Sequence, residues 1–338
     1  MSLRIVDAAG SAVPSGAPRG RQSRYSLRVS VLEQCQLDCR YCRPGSTTTP
    51  TEKARWLSAA EHARLAPMFL RRGVAKVRFT GGEPTLRADL ADVVGAWRGA
   101  AVAADVVLPL ALTTNGLRLP PALPALTKAG LTSVTIHLDT LRADRIVSLM
   151  GEGADVDAAL LATRAAIDAG LSVKWNAVVQ KGRNDDELVE ILAVAHDLGV
   201  EVRFIELMNT GSAQGYVKST FISGKEILAK LASAPIARRH ASDPAALHQT
   251  ADGVIFGVIA SDTEPFCGDC DRLRLSADGR VRGCLYQPGG LPLGTALRAG
   301  TNDDGVQALL DSALDDKRSH HPLAPQARVP FSMADVGG

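Results

Sequence analysis

The six cysteines of this 338-residue chain stand in two groups of three, Cys35, Cys39 and Cys42 near the start and Cys267, Cys270 and Cys284 near the end, with none between and none left over. Whatever the fold, it has to gather each trio around one point. In a reducing compartment, clustered cysteines hold metal or carry redox chemistry more often than they pair as disulfides. Residues 1–20 lack the basic n-region and apolar h-region of a secretory signal, which predicts a cytoplasmic protein. Lys and Arg number 38 against 36 Asp and Glu, a formal net charge of +2, so no global basic field is present to hold nucleic acid. No run approaches the ~18 uncharged apolar residues of a membrane-spanning helix.

Each trio is one ligand short of a closed four-ligand site, so each leaves one metal position open for a small molecule. For Cys35-Gln-Leu-Asp-Cys-Arg-Tyr-Cys42 the plainer alternatives are a zinc site completed by a distant histidine and a cysteine-rich loop. Cys267-Gly-Asp-Cys270 begins with the CxxC shared by zinc and thioredoxin-like redox sites. No βαβ unit leads into it, which disfavours thioredoxin, and zinc there would need a fourth ligand such as His248 or His320. Beside it Arg272 and Arg274 alternate with leucines, and a period of two sends both guanidinium groups to one side of a strand. They form either a bidentate phosphate clamp or a pair of solvated arginines.

Between residues 23 and 211 short β-rich runs alternate with amphipathic stretches. The pattern predicts strands over 27–32, 76–80, 106–113, 133–138, 172–179 and 201–207, and helices over 58–72, 87–99, 122–129, 156–169 and 185–198. Gly73, Gly130, Gly170 and Gly199 each follow a helical pattern, where a left-handed terminating residue belongs. Strands each followed by a helix imply parallel pairing with right-handed crossovers. The fold class is α/β, an open or incomplete (βα)6 barrel with its chemistry at the C-terminal strand ends; periodicity alone does not separate barrel from flat sheet. The expected organisation is a loose tail over 1–22, the partial barrel over 23–211 and a C-terminal region over 212–338. That last region holds one helix near 224–232 and an irregular stretch over 315–330 carrying His320 and His321.

The pattern C-x3-C-x-Y-C after the first strand, with Gly81-Gly82-Glu83-Pro84 after the second, resembles the radical S-adenosylmethionine (SAM) superfamily. Glycines at 81 and 82 suit a close backbone approach to the SAM amino group. From residue 24 to 338 the chain further resembles the GTP 3′,8-cyclase family of molybdenum cofactor biosynthesis. The resemblance rests on Phe-Cys-x-x-Cys-Asp-Arg-x-Arg-Leu-Ser-x-Asp-Gly at 266–279, Thr-Thr-Asn-Gly at 113–116, Val-Arg-Phe-Ile-Glu at 202–206, Lys-Trp-Asn-Ala-Val-Val-Gln-Lys-Gly at 174–182 and the terminal Gly337-Gly338.

That resemblance implies a radical SAM type of TIM-like barrel with a C-terminal auxiliary-cluster extension. Cys35, Cys39 and Cys42 would hold a [4Fe–4S] cluster whose fourth iron SAM chelates, with Tyr41, Gly82, His137 and Met208 lining the SAM site. Cys267, Cys270 and Cys284 would hold a second [4Fe–4S] cluster that binds the guanine base. Arg28, Arg78, Thr113, Lys174, Arg203, Arg272 and Arg274 would bind GTP, and the Gly-Gly tail would enter the active site. The implied reaction is abstraction of the ribose 3′ hydrogen by a 5′-deoxyadenosyl radical, then attack of the sugar radical on guanine carbon 8. No catalytic residue beyond the cofactor ligands is implied. Its implied partners are GTP, a downstream cyclic pyranopterin monophosphate synthase and an electron donor such as flavodoxin or ferredoxin, without nucleic acid or membrane; a homodimer is compatible with it.

Two positions depart from the family. His137 stands where serine is usual, and Asp271 replaces an asparagine, adding a negative charge near the GTP site without removing a ligand. Two rival readings remain. A radical SAM peptide-modifying maturase would carry more C-terminal cysteines and would not need Arg272 and Arg274. A non-catalytic zinc-binding module would leave residues 81–84 unexplained.

Overall fold

The computed structural model describes residues 25–42, 52–208, 214–286 and 289–319. The 1–22 tail, the proposed join at 211/212, His320, His321, Gly337 and Gly338 lie outside the described residues.

From β1 (Tyr25–Ser30) the chain runs through α1 (Ala59–Arg71), β2 (Val74–Thr80), α2 (Leu90–Ala103), β3 (Leu110–Thr114), α3 (Leu119–Lys128), β4 (Ser133–His137), α4 (Ala143–Met150), α5 (Val156–Asp168), β5 (Ser172–Val179), α6 (Leu188–Asp197) and β6 (Glu201–Glu206). Each expected strand and helix is present. Helix α1 starts where the sequence asks: Ser58 Oγ accepts from Glu61 N, and Glu61 Oε2 accepts from Ser58 N at 2.7 Å. Gly73, Gly130, Gly170 and Gly199 all have positive φ, 85°, 99°, 76° and 69°.

Among the differences, two boundaries and one additional helix have local reasons. Strand β3 begins at Leu110 rather than 106, because Pro109 has no N–H for the ladder and Val107 is 91% exposed. Helix α3 begins at Leu119 rather than 122, since its first turn accommodates proline. Helix α4 was not expected; Ile146, Leu149 and Met150 bury one face of it.

The C-terminal region holds α7 (Gln214–Thr220), α8 (Gly224–Leu231), β7 (Ser233–Ile236), β8 (Ala246–Thr250), β9 (Ile255–Ile259), β10 (Arg272–Leu275), β11 (Arg280–Arg282), β12 (Leu291–Pro292), α9 (Leu293–Arg298) and α10 (Asp303–Ser319). The stretch from Asp315 was expected to be irregular, but α10 runs through it to Ser319. Val306, Leu310, Ala313 and Leu314 are buried at helical spacing and carry the helix past that point.

All strands join one sheet in the order β12-β11-β10-β1-β2-β3-β4-β5-β6-β9-β8-β7. The run from β10 through β1–β6 to β9 is parallel throughout. The C-terminal region thus extends the six-unit barrel by a parallel strand on each edge, a pairing that its broken rhythm concealed. No pairing joins β10 to β9 among the described residues, so the barrel is open along that seam. Along each barrel strand, alternate side chains take opposite faces. Leu27, Val29, Val77, Phe79, Trp175, Val202 and Phe204 are buried in the apolar core. The residues between them, among them Arg28, Arg78, Asn176 and Arg203, line the lumen.

Candidate active site

A cavity of about 820 Å³ occupies the lumen, and every site residue expected from the sequence except Lys174 lines it. The strand directions place the two cysteine trios at opposite mouths. Cys35, Cys39 and Cys42 follow the C-terminal end of β1. Cys267 and Cys270 precede β10, which runs parallel to β1, and Ser26 N donates to Asp271 O at 3.1 Å at that edge. Cys284 follows the antiparallel β11 and so returns to the same N-terminal mouth. The expectation that chemistry gathers at the C-terminal strand ends therefore holds for one trio only.

The first trio rests on the Gly-Gly-Glu-Pro segment. Gly82 N donates to Leu32 O at 2.9 Å and Glu83 N to Gln34 O at 2.8 Å, continuing the β1–β2 pairing into the cysteine loop. A Cβ on Gly81 would lie 2.2 Å from Leu32 O, and one on Gly82 would lie 2.1 Å from Gln34 O. What these glycines admit in this structure is the chain leading to Cys35. Glu83 is buried and accepts from Thr114 Oγ1 at 2.7 Å and Asn115 N at 2.8 Å, which pins the end of β3.

Tyr41, between Cys39 and Cys42, donates its hydroxyl to Asp139 Oδ2 at 2.7 Å and also meets His137 Nε2. His137 Nε2 lies 3.0 Å from Asp139 Oδ1, which accepts in turn from Val178 N at 2.7 Å. Burial would lower the His137 imidazole, yet the Asp139 carboxylate outweighs it and its pKa is raised. Burial, then Cys42, Asp139 and Cys35, push the Cys39 thiol well above its ordinary range. A cation drawn to the trio would offset that rise at Cys39.

Cations fill the middle of the lumen. Arg28 stands across from Arg78 on β2 and from Arg274 on β10, and Arg272 pairs in register with Ser26. These arginines sit along their strands, and Arg272 and Arg274 share one strand as their alternation predicts. Arg78 Nη1 donates to Thr113 Oγ1 at 3.0 Å and Thr135 Oγ1 at 2.8 Å. Burial, then Arg272, Arg274 and Arg78, hold Arg28 well below the ordinary guanidinium range. Burial and Arg203 push Arg78 down to about 10, and burial and Arg272 push Arg274 down to about 10. Arg272 Nη2 and Arg274 Nε are buried without a hydrogen-bond partner. Repelling cations with unmatched donors form a site that a polyanion satisfies.

Lys174 is held aside: its Nζ lies 2.5 Å from Glu201 Oε1. At the second trio, Lys317 Nζ of α10 donates to Gly283 O at 3.0 Å and stands 3.7 Å from Cys270 Sγ. Burial would raise Cys270, but Lys317, a backbone hydrogen bond at Arg272 and the Arg272 and Arg274 charges lower its pKa. His248, weighed as a zinc ligand, stacks on Phe256 at 5.9 Å and does not line the cavity. Among the described residues no three His, Cys, Asp or Glu side chains close on a single metal ion. A [4Fe–4S] cube takes one thiolate per iron and so accepts a more widely spaced trio.

The sequence reading missed Asp139, Asn176, Met150, Lys317 and the 241–244 loop, all but Asp139 contributing to the cavity lining. The apolar spacing of Ile146, Leu149 and Met150 was a usable signal for α4; nothing local marks Lys317.

Among the described residues no helix is long and apolar enough to cross a membrane. A family model described as Radical SAM superfamily matches residues 29–195, and one described as Molybdenum Cofactor Synthesis C matches residues 200–323. A GTP 3′,8-cyclase of Corynebacterium glutamicum (strain R) is 39% identical over 336 residues, with 94% of this chain and 88% of that protein covered. The mitochondrial GTP 3′,8-cyclase of Arabidopsis thaliana is 35% identical over 332 residues, with 94% and 82% covered. Among solved structures, Streptococcus suis SuiB bound to S-adenosylmethionine superposes with a TM-score of 0.59 at 14% identity, covering 84% of this chain and 68% of that one, a likeness of fold. With two cysteine trios facing one cation-filled lumen and relatives this similar along nearly its whole length, the chain belongs to the GTP 3′,8-cyclase family of the radical SAM superfamily.

Proposed function

We propose that this chain converts GTP to 3′,8-cyclo-7,8-dihydro-GTP, the first step of molybdenum cofactor biosynthesis. The observation that carries the reading is the single cavity with a cysteine trio at each mouth and arginines from β1, β2, β6 and β10 between them. Cys35, Cys39 and Cys42 would hold one [4Fe–4S] cluster, and Cys267, Cys270 and Cys284 a second that meets the guanine base. When bound, SAM and the first cluster would supply, with one electron from an external donor, a 5′-deoxyadenosyl radical for the ribose 3′ hydrogen; the expected product carries a new bond from that carbon to guanine carbon 8, with one further electron and one proton taken up.

The chain's own residues bind and orient. Tyr41, Gly82, His137 and Met208 border the SAM end of the cavity. Arg28, Arg78, Arg203, Arg272 and Arg274, with Thr113 and Lys174, take the nucleotide, whose phosphates relieve the repulsion among them. Holding ribose and radical source in one lumen converts an encounter between separate molecules into one within a complex. No side chain acts as a nucleophile. Residues 23–211 would form the SAM-binding unit and 212–338 the second-cluster unit, with an external electron donor and a downstream synthase as partners in the cytoplasm.

Anaerobic reconstitution with iron and sulfide tests the proposal. About eight irons per chain, four per cluster, are expected, with 5′-deoxyadenosine formed only when GTP is present. Iron without GTP-dependent turnover would move the substrate elsewhere, and zinc in place of iron would reject radical chemistry.

A further inference from the structure

One side of the lumen differs from the rest. On β10, buried donors of Arg272 and Arg274 lack partners, whereas the cations of β5 and β6 already have an anion. Strand register sets Lys174 directly across from Glu201, and Arg203 lies two residues further along β6 on the same face. Glu201 Oε1 accepts from Lys174 Nζ at 2.5 Å and from Arg203 Nε at 3.3 Å, while Oε2 accepts from Arg239. Asp243 Oδ2 stands 3.7 Å from Arg203 Nη2. Only 13% of the Glu201 side chain is exposed. One carboxylate thus gathers three cations, as a phosphate group would. Arg203 lines the cavity, and Lys174 is drawn out of it.

We propose that Glu201 is a resident counter-anion for the phosphate end of the site, exchanged for the ligand's phosphates when they bind, and that it sets how much anionic charge a ligand needs. The inference rests on the GTP reading above. Lys174 and Arg203 cannot satisfy Glu201 and a phosphate in full at once, so the ligand's oxygens compete with a carboxylate already in place. A triphosphate, with several oxygens for the same cations, completes the exchange; a ligand with one phosphate leaves it incomplete. In the empty protein Glu201 disperses repulsion between Lys174 and Arg203, whose charges would otherwise meet across adjacent strands. The same carboxylate also ties down Arg239 in the loop that borders the cavity through Ala241, Ser242 and Pro244.

The test uses cluster-loaded protein and inorganic tripolyphosphate, measured by anaerobic calorimetry beside GTP. Removing the competing charge in Glu201→Gln is expected to tighten tripolyphosphate binding about tenfold, the scale of one close charge pair. Inorganic monophosphate should gain too, which narrows the preference for the longer anion. Unchanged or weaker tripolyphosphate binding in the variant, with wild-type binding intact, overturns the counter-anion while leaving the GTP reading standing. Failure of the wild type to bind either GTP or tripolyphosphate overturns both. A crystal structure of the wild type with tripolyphosphate gives a second result that does not depend on the variant folding. Lys174 Nζ is expected on a phosphate oxygen and apart from Glu201; a Lys174–Glu201 pair retained beside bound tripolyphosphate overturns the inference.

Discussion

Arg28 of β1 and Arg274 of β10 face one another in register across neighbouring parallel strands, although 246 positions separate them in the chain. The effect is felt at Arg28, which burial, Arg272, Arg274 and Arg78 depress, while burial and Arg272 depress Arg274. Natural cores rarely keep buried cations together without anions. Here the strand that follows Cys267 and Cys270 is docked beside the strand that leads to the first trio. Joining the two halves of the site costs the nucleotide-free protein stability, which an anionic ligand returns.

Arg274→Met should show that trade directly. Methionine fills a similar volume without an unmatched buried Nε–H, so the nucleotide-free variant is expected to gain about 1–2 kcal/mol. GTP binding is expected to weaken by at least about tenfold, one charge-assisted pair. Chemical denaturation beside calorimetry reads both, and a destabilised variant would count against the repulsion argument.

The barrel was legible because its signals are local. Period-2 runs such as Ser-Val-Lys-Trp-Asn-Ala-Val-Val and glycines after helices each act within a few residues. The cysteine spacings fixed which loops carry the trios. What stayed hidden depends on partners remote in sequence. β10 and β9 read as isolated short runs, and their parallel docking on β1 and β6 has no local code. Lys317 lies 47 positions from Cys270, and nothing near Lys174, which the family resemblance assigns to GTP, announces Glu201 on the next strand. Gly81 and Gly82 were read as a ligand approach, while the closest atoms to a Cβ there belong to the chain entering the cysteine loop.

Lys76 supplies a pH-dependent signature. Burial, Arg78, Arg203 and Lys174 push its pKa down to about 8, even though part of its side chain reaches solvent. In the nucleotide-free protein near pH 8 it is partly neutral; a polyanion nearby favours the charged form, so binding takes up a proton. Calorimetry of GTP binding in buffers of different ionisation enthalpy should give an uptake of up to about half a proton at pH 8. The uptake should fade at pH 6.5, where Lys76 is already charged, and vanish in Lys76→Met. The sign also fixes stability. Because the folded pKa lies below the unfolded one, the penalty from Lys76 is full below pH 8 and relaxes as pH rises toward 10.5.

Gly82→Ala should separate the two trios. The added Cβ would lie 2.1 Å from Gln34 O, a backbone atom that cannot step aside without moving the loop into Cys35. Residues 267–284 are far from that contact in the fold, at the other mouth. Iron content after reconstitution is expected to fall by half, to about four per chain, with loss of SAM binding. Full iron loading with normal SAM affinity would show that the loop yields without consequence.

Lys317→Met addresses the other mouth. The ammonium stands 3.7 Å from Cys270 Sγ and is the strongest of the influences lowering that thiol. A positive charge beside a cluster thiolate favours the reduced, more negative cluster, so its loss should lower the second cluster's reduction potential, by on the order of 50 mV. Redox titration followed by electron paramagnetic resonance distinguishes this from mere loss of the cluster, since the signal must persist while its midpoint moves. On the two-cluster reading, a cluster on Cys35, Cys39 and Cys42 at the other mouth would serve as the internal control and should keep its potential. An equal shift in both would mean that Lys317 acts on the fold as a whole, and not on Cys270.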